Sequence, residues 1–173
     1  MSHLTNALRA ATAAALMGGL ACLGTATATA EPADNTSAVN TLAGSLSKGY
    51  TLNDCTAQAT TGAELAVLSC GPNADSAGPV LARYILFANG DDMAGSFKDS
   101  IKDEALTACG DSGQSPTTWH QGTSGATAGH VACGTYQGAA EVIWTTDGKN
   151  ILSYIRASNG DVPALYQWWR TNG

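Results

Sequence analysis

Charge is what this sequence has least of. Only 13% of its residues are Asp, Glu, Lys or Arg, about half the ~25% of an ordinary soluble domain. Basic residues are the scarcer kind. Eight Lys and Arg stand against fourteen Asp and Glu, a formal net charge of −6. A general nucleic-acid binder carries a basic stripe for the phosphates, so this balance argues against that class. It argues equally against a polybasic membrane-surface protein. No Cys-x-x-Cys pair is present, which removes the usual mark of a redox dithiol or a zinc site. No Gly-x-x-x-x-Gly-Lys phosphate loop follows a strand, and the histidines show no His-x-x-x-His spacing. Neither a cofactor nor a metal is expected.

What is present begins with an address. Arg9 is the only charged residue in positions 1–30. An apolar, small-residue run follows from Ala10 to Gly24, and Thr25 to Ala30 precede Glu31-Pro32. A basic start, an apolar core and an Ala-x-Ala exit make a secretory signal peptide, with cleavage expected after Ala30. The run falls short of the ~20 apolar residues of a membrane span, so no transmembrane span is expected after cleavage. Lipidation is the alternative, because Cys22 follows Gly19-Leu20-Ala21. A bacterial lipobox wants Leu where Gly19 stands. Cleavage of 30 residues from 173 leaves 143, with Arg9 lost and a net charge of −7. It also removes Cys22 and leaves Cys55, Cys70, Cys109 and Cys133. Four cysteines in an exported chain read as two disulfides, with three possible pairings.

An internal repeat organises the rest. Residues 31–37 are polar and read as a flexible lead, and 38–173 as a single domain of two similar halves. Leu42-Ala43-Gly44-Ser45-Leu46 returns as Met93-Ala94-Gly95-Ser96-Phe97. Leu68-Ser69-Cys70-Gly71 returns as Val131-Ala132-Cys133-Gly134, and Tyr84-Ile85 with Asn89-Gly90-Asp91 returns as Tyr154-Ile155 with Asn159-Gly160-Asp161. Three matches in one order indicate a duplicated unit of helix, cysteine, strand with cysteine, and strand.

The periodicity fills in the elements. Val39, Leu42 and Leu46 share a helix face that Gly49 would stop. Met93, Phe97 and Ile101 share a second, capped by Asp91; Leu165, Trp168 and Trp169 share a third, capped by Asp161. Strands are expected over 64–70, 80–88, 140–146 and 150–158. Asp147-Gly148 favours a type I′ hairpin turn between the last two. The fold class is therefore α+β, an antiparallel sheet with helices packed on it. If the halves are equivalent, each closes its own bond, Cys55–Cys70 and Cys109–Cys133. Each closure would contribute about 3 kcal/mol by restricting the unfolded chain.

Two motifs resemble catalytic ones. Gly110-Asp111-Ser112-Gly113 is like the segment around the nucleophile of chymotrypsin-like proteases, and Thr127-Ala128-Gly129-His130 is like that around their histidine. In that family the histidine precedes the serine by most of a barrel; here His130 follows Ser112. The expected catalytic set is therefore none, with a small exported hydrolase using Ser112 and His130 as the alternative. The aromatics are few, at 6% of the chain, but concentrated late. Trp119, Trp144, Tyr166, Trp168 and Trp169 are the candidate binding residues. Two adjacent tryptophans are hard to bury together, so whichever stays exposed marks the surface to watch.

The order of a Leu-rich helix, Gly49-Tyr50, Cys55, Leu68-Ser69-Cys70, then Trp119, Cys133, Trp144 and a closing Leu165-Tyr166-Gln167-Trp168-Trp169 has a parallel. It is similar to the extracytoplasmic regions of actinobacterial receptor-like serine/threonine kinases and to small exported mycobacterial proteins of unknown function. The resemblance implies a sensor or binding domain on the outer side of the membrane, with an extracellular or cell-envelope ligand. It does not imply kinase activity, since no catalytic loop or Gly-rich ATP loop is present. The leading expectation is a secreted, non-catalytic binding domain; a lipidated cell-envelope protein is a further alternative.

Overall fold

The computed structural model describes residues 35–122 and 125–173. The expected signal peptide, the cleavage point and Cys22 lie outside the described residues.

Two layers of helix enclose one antiparallel sheet. Its strands are β1 (Cys55–Gln58), β2 (Glu64–Cys70), β3 (Leu81–Phe87), β4 (Ala105–Leu106), β5 (Thr117–His120), β6 (Thr127–Tyr136), β7 (Ala139–Thr146) and β8 (Ile151–Arg156). They lie in the order β1-β2-β3-β8-β7-β6, with β4 and β5 both along the outer edge of β6. The helices are α1 (Thr36–Ala43), α2 (Gly90–Ser100) and α3 (Val162–Asn172). The α+β class and both disulfides follow the sequence reading: Cys55 bonds Cys70, and Cys109 bonds Cys133.

Alternation along the strands divides the core in two. Leu68, Tyr84, Val142, Trp144 and Ile155 point to one face, where Leu42 of α1 and Leu165, Trp168 and Trp169 of α3 cover them. Val67, Ile85, Ile143 and Leu152 point to the other, where Met93 and Phe97 of α2 cover them. The α2 face is the less completely roofed, since one helix spans what two share opposite.

The halves share the order helix, cysteine pair and central strand, and β3 and β8 pair with each other at the middle of the sheet. They differ in detail. The second half carries the additional strands β4, β5 and β7. Arg83 opposes Tyr154 and Tyr84 opposes Ser153, so the two tyrosines matched by the repeat stand on opposite faces.

Helix ends show where tertiary contacts override local signals. Helix α1 begins at Thr36, inside the expected lead, and stops at Ala43 rather than at Gly49. The reason lies beyond the helix. The Ser47 N–H donates to the Tyr84 phenol at 3.0 Å, and that phenol donates to Ser47 Oγ at 2.9 Å. A helix continued through Ser47 would have used that N–H internally. Both residues are buried. Tyr84→Phe is therefore expected to cost about 2 kcal/mol by stranding the Ser47 groups, read from urea unfolding; an unchanged midpoint would contradict it.

The two Asn-Gly-Asp triplets start helices differently. In α2 the cap is Asn89, whose side chain accepts from the Asp92 N–H at 2.9 Å. In α3 it is Asp161, accepting from the Ala164 N–H at 3.0 Å, while Asn159 accepts from the Asp161 N–H. The β7–β8 connection is also longer than a two-residue turn. Thr146 opposes Ile151, Asp147–Lys149 form a 3₁₀ turn, and Asn150 takes the left-handed conformation at φ 54°.

Candidate functional site

Among the described residues, three of the clefts around the sheet gather aromatic, apolar or acidic side chains, each built by different elements.

The first is aromatic and lies where the C-terminal half of α3 meets β5. Trp119 and Trp169 meet edge to face at 5.6 Å, Trp144 and Trp169 at 5.7 Å, and Tyr166 stacks on Trp169 at 5.5 Å. Four of the five sequence candidates are thus brought together. Trp168 is not: its indole N–H donates to Asp75 at 2.9 Å, on the other side of α3. Contrary to expectation, both adjacent tryptophans are buried, with Trp168 7% and Trp169 6% exposed. The physical reason is the ~100° between successive helix residues, which sends one ring to the 73–79 loop and the other toward β5. Trp144 sits in the core, so the half-exposed rings are Trp119 and Tyr166.

Local structure holds these rings in place. The Trp119 N–H donates to the Thr145 carbonyl at 2.8 Å. Gly110 takes φ 54°, and a Cβ built there would lie 2.5 Å from Tyr166 Cε1. The loop opened by Cys109 therefore presses directly on the tyrosine. Ser115 pins the same loop to β6, accepting from the Cys133 N–H at 2.8 Å and donating to its carbonyl at 3.1 Å. The Trp169 N–H is buried with no acceptor among the described residues, an arrangement that ordinarily costs about 1–3 kcal/mol. His120, Gln121 and Arg170 complete a cleft of about 440 Å³.

The second cleft is apolar and lies on the α2 face. Met93, Ala94 and Phe97 of α2, with Ile101 just past its end, form one wall; Pro116, His130 and Thr145 form the other, around about 380 Å³. Polar groups gather at one end. The Thr145 hydroxyl donates to Asp147 Oδ1 at 2.7 Å and accepts from the His130 N–H at 2.9 Å. His130 Nδ1 lies 4.0 Å from Asp147 Oδ2, and the His130 ring lies 6.2 Å from that of Phe97.

The third cleft, about 350 Å³, lies at the other end of α2, where Asp99, Asp103, Glu104, Glu141 and Arg156 converge. Arg156 lies 3.4 Å from Glu141 and 5.7 Å from the centre of the Tyr136 ring. Burial, then the neighbouring Glu104 charge, push the Glu141 carboxyl up to about 7, against a smaller opposing effect of Arg156. Burial raises Glu104 as well. Below pH about 7 the pair therefore retains a proton that two ordinary glutamates would have released. Nothing in the sequence marked this pair, because residues 104 and 141 meet only through the β4–β6–β7 pairing.

The serine and histidines are dispersed. The Ser112 hydroxyl donates to the Gln114 carbonyl at 2.8 Å. His130 lines the apolar cleft and His120 the aromatic one, since a register shift between Trp119 and His120 turns the latter away from the α2 face. Among the described residues no group of three His, Cys, Asp or Glu side chains is placed to hold a metal, and no helix is long and apolar enough to cross a membrane. No family model, curated protein or solved structure matches the chain.

Proposed function

We propose that this protein is an exported, non-catalytic binding domain that takes an amphiphile, a molecule with an apolar body and one hydrogen-bonding head. The apolar cleft carries the reading. Its volume of about 380 Å³ falls within the ~300–1,000 Å³ of small-molecule sites, and its make-up is of the same kind, apolar walls with a few convergent polar groups. Met93, Phe97 and Ile101 would hold the body. Asp147, oriented by Thr145, would accept from the head, with His130 beside it. Two disulfides support an oxidising compartment outside the cytoplasm. The signal-peptide pattern of residues 1–30 supports the same placement.

The test uses the neutral fluorescent probe N-phenyl-1-naphthylamine, with decylamine and decanoate as competitors. The probe is expected to brighten on binding, and decylamine to displace it better than decanoate because Asp147 accepts hydrogen bonds. Ala94→Trp, which fills the cleft from α2, is expected to weaken binding at least ~10-fold with the circular dichroism spectrum unchanged. Binding that ignores Ala94→Trp would refute the placement. Turnover of an ester substrate, lost in both Ser112→Ala and His130→Ala, would instead favour a hydrolase.

A further inference from the structure

We propose that the aromatic cleft beside α3 is a second site, which binds carbohydrate. A pyranose offers two unlike surfaces: an apolar face of C–H groups, and a rim of hydroxyls that each donate and accept. The cleft offers the matching pair. The partly buried rings of Trp119 and Tyr166 supply flat apolar surface, held rigid by their contacts with Trp169 and with the loop at Gly110. Around them His120, Gln121 and Arg170 line the cleft, and among the described residues none of their side chains has a hydrogen-bond or ion-pair partner. Beneath them the Trp169 N–H is buried, with Gly173 packed beside it and no acceptor among the described residues.

That last group discriminates between ligand classes. An apolar body laid in the cleft would leave that N–H unpaired and would desolvate Arg170 without return. A small anion could meet Arg170 but would leave the rings unused. A sugar stacks its C–H face on the aromatic surface while its hydroxyls meet His120, Gln121 and Arg170, and a hydroxyl oxygen that displaces Gly173 gives the N–H its acceptor. The cleft stands on the α3 side of the sheet, opposite the α2 cleft, so neither proposal depends on the other.

The experiment titrates ¹⁵N-labelled protein with soluble hexasaccharides of glucose, mannose and N-acetylglucosamine, following the four tryptophan indole resonances. At least one sugar is expected to shift the Trp169 N–H downfield as it gains an acceptor, with a smaller change at Trp119. The Trp168 resonance, already bonded to Asp75, stays still. Tyr166→Ala is expected to reduce affinity at least ~10-fold. Should that variant fail to fold, the exposed side chains replaced in His120→Ala and Arg170→Ala carry the same expectation. The proposal is overturned if the Trp169 resonance ignores all three sugars at ~10 mM, a weak-binding limit. It is equally overturned if binding persists at full strength in His120→Ala and Arg170→Ala, or if a proline-rich peptide shifts the resonance where no sugar does.

Discussion

Replacing Cys109 and Cys133 together by alanine is expected to lower the unfolding free energy by about 3 kcal/mol. The two cysteines are 24 positions apart, so the unlinked chain regains the closure entropy of a loop of that length. Both are fully buried, so the lost sulfurs also leave space beneath α3. For a domain of this size the loss corresponds to a fall of roughly 10 °C in Tm. The loop has a second duty, because Gly110 packs against Tyr166. Tryptophan fluorescence should therefore change in the variant below its melting transition. Removing Cys55 and Cys70 should cost less. Those residues face each other across β1 and β2, and β1 is the outermost strand, whose fraying uncovers little core. A larger loss from the Cys55–Cys70 pair would show that the β1 edge anchors the fold.

The Glu104–Glu141 pair predicts that the protein is more stable at pH 5 than at pH 8. The Glu141 carboxyl titrates at about 7 in the folded chain, above the 4.5 of an ordinary glutamate. A raised value means that the folded state holds a proton the unfolded state has released. The stabilisation is fully present below pH 4.5 and is lost as pH rises through 7. Its size is about 1–3 kcal/mol, the linkage between proton binding and folding reduced by solvent screening of a partly exposed pair. Asp54, held below its usual 3.8 by hydrogen bonds from the Thr51 hydroxyl and N–H, acts with the opposite sign. Its contribution is lost only as pH falls below about 4, outside this window. Glu141→Gln keeps a donor for Glu104 without a titrating proton, and should raise stability at pH 8 while flattening the profile. Urea unfolding across pH 5 to 8 gives the answer, and an identical slope in the variant would refute the assignment.

Much of the fold was legible because its signals are local. The apolar runs over 64–70 and 140–146 stand as β2 and β7, continuous rather than alternating because helices cover both faces of the sheet. The helical faces of Met93 and Phe97, and of Leu165 and Trp169, likewise follow from spacing alone. The short outer strands were not legible. Ala105–Leu106 and Cys55–Gln58 are largely exposed, so neither carries an apolar pattern. The site was readable in part. The late aromatics do gather, but composition could not tell that Trp144 and Trp168 would be buried while Trp119 and Tyr166 stay half open.

The sequence by itself determined the class of fold, the two disulfides and the late aromatic cluster. Each of these is an inventory of residue types at short spacing, and spacing is all that periodicity needs. Tertiary structure alone decided which side chains share a face and a cleft. His120 and His130 are parted by a one-residue slip in register, Tyr84 and Tyr154 by the pleat, and Glu104 and Glu141 are joined by strand pairing. A strand changes sides every residue, so relations between distant strands depend on a register that the chain settles only when the core closes.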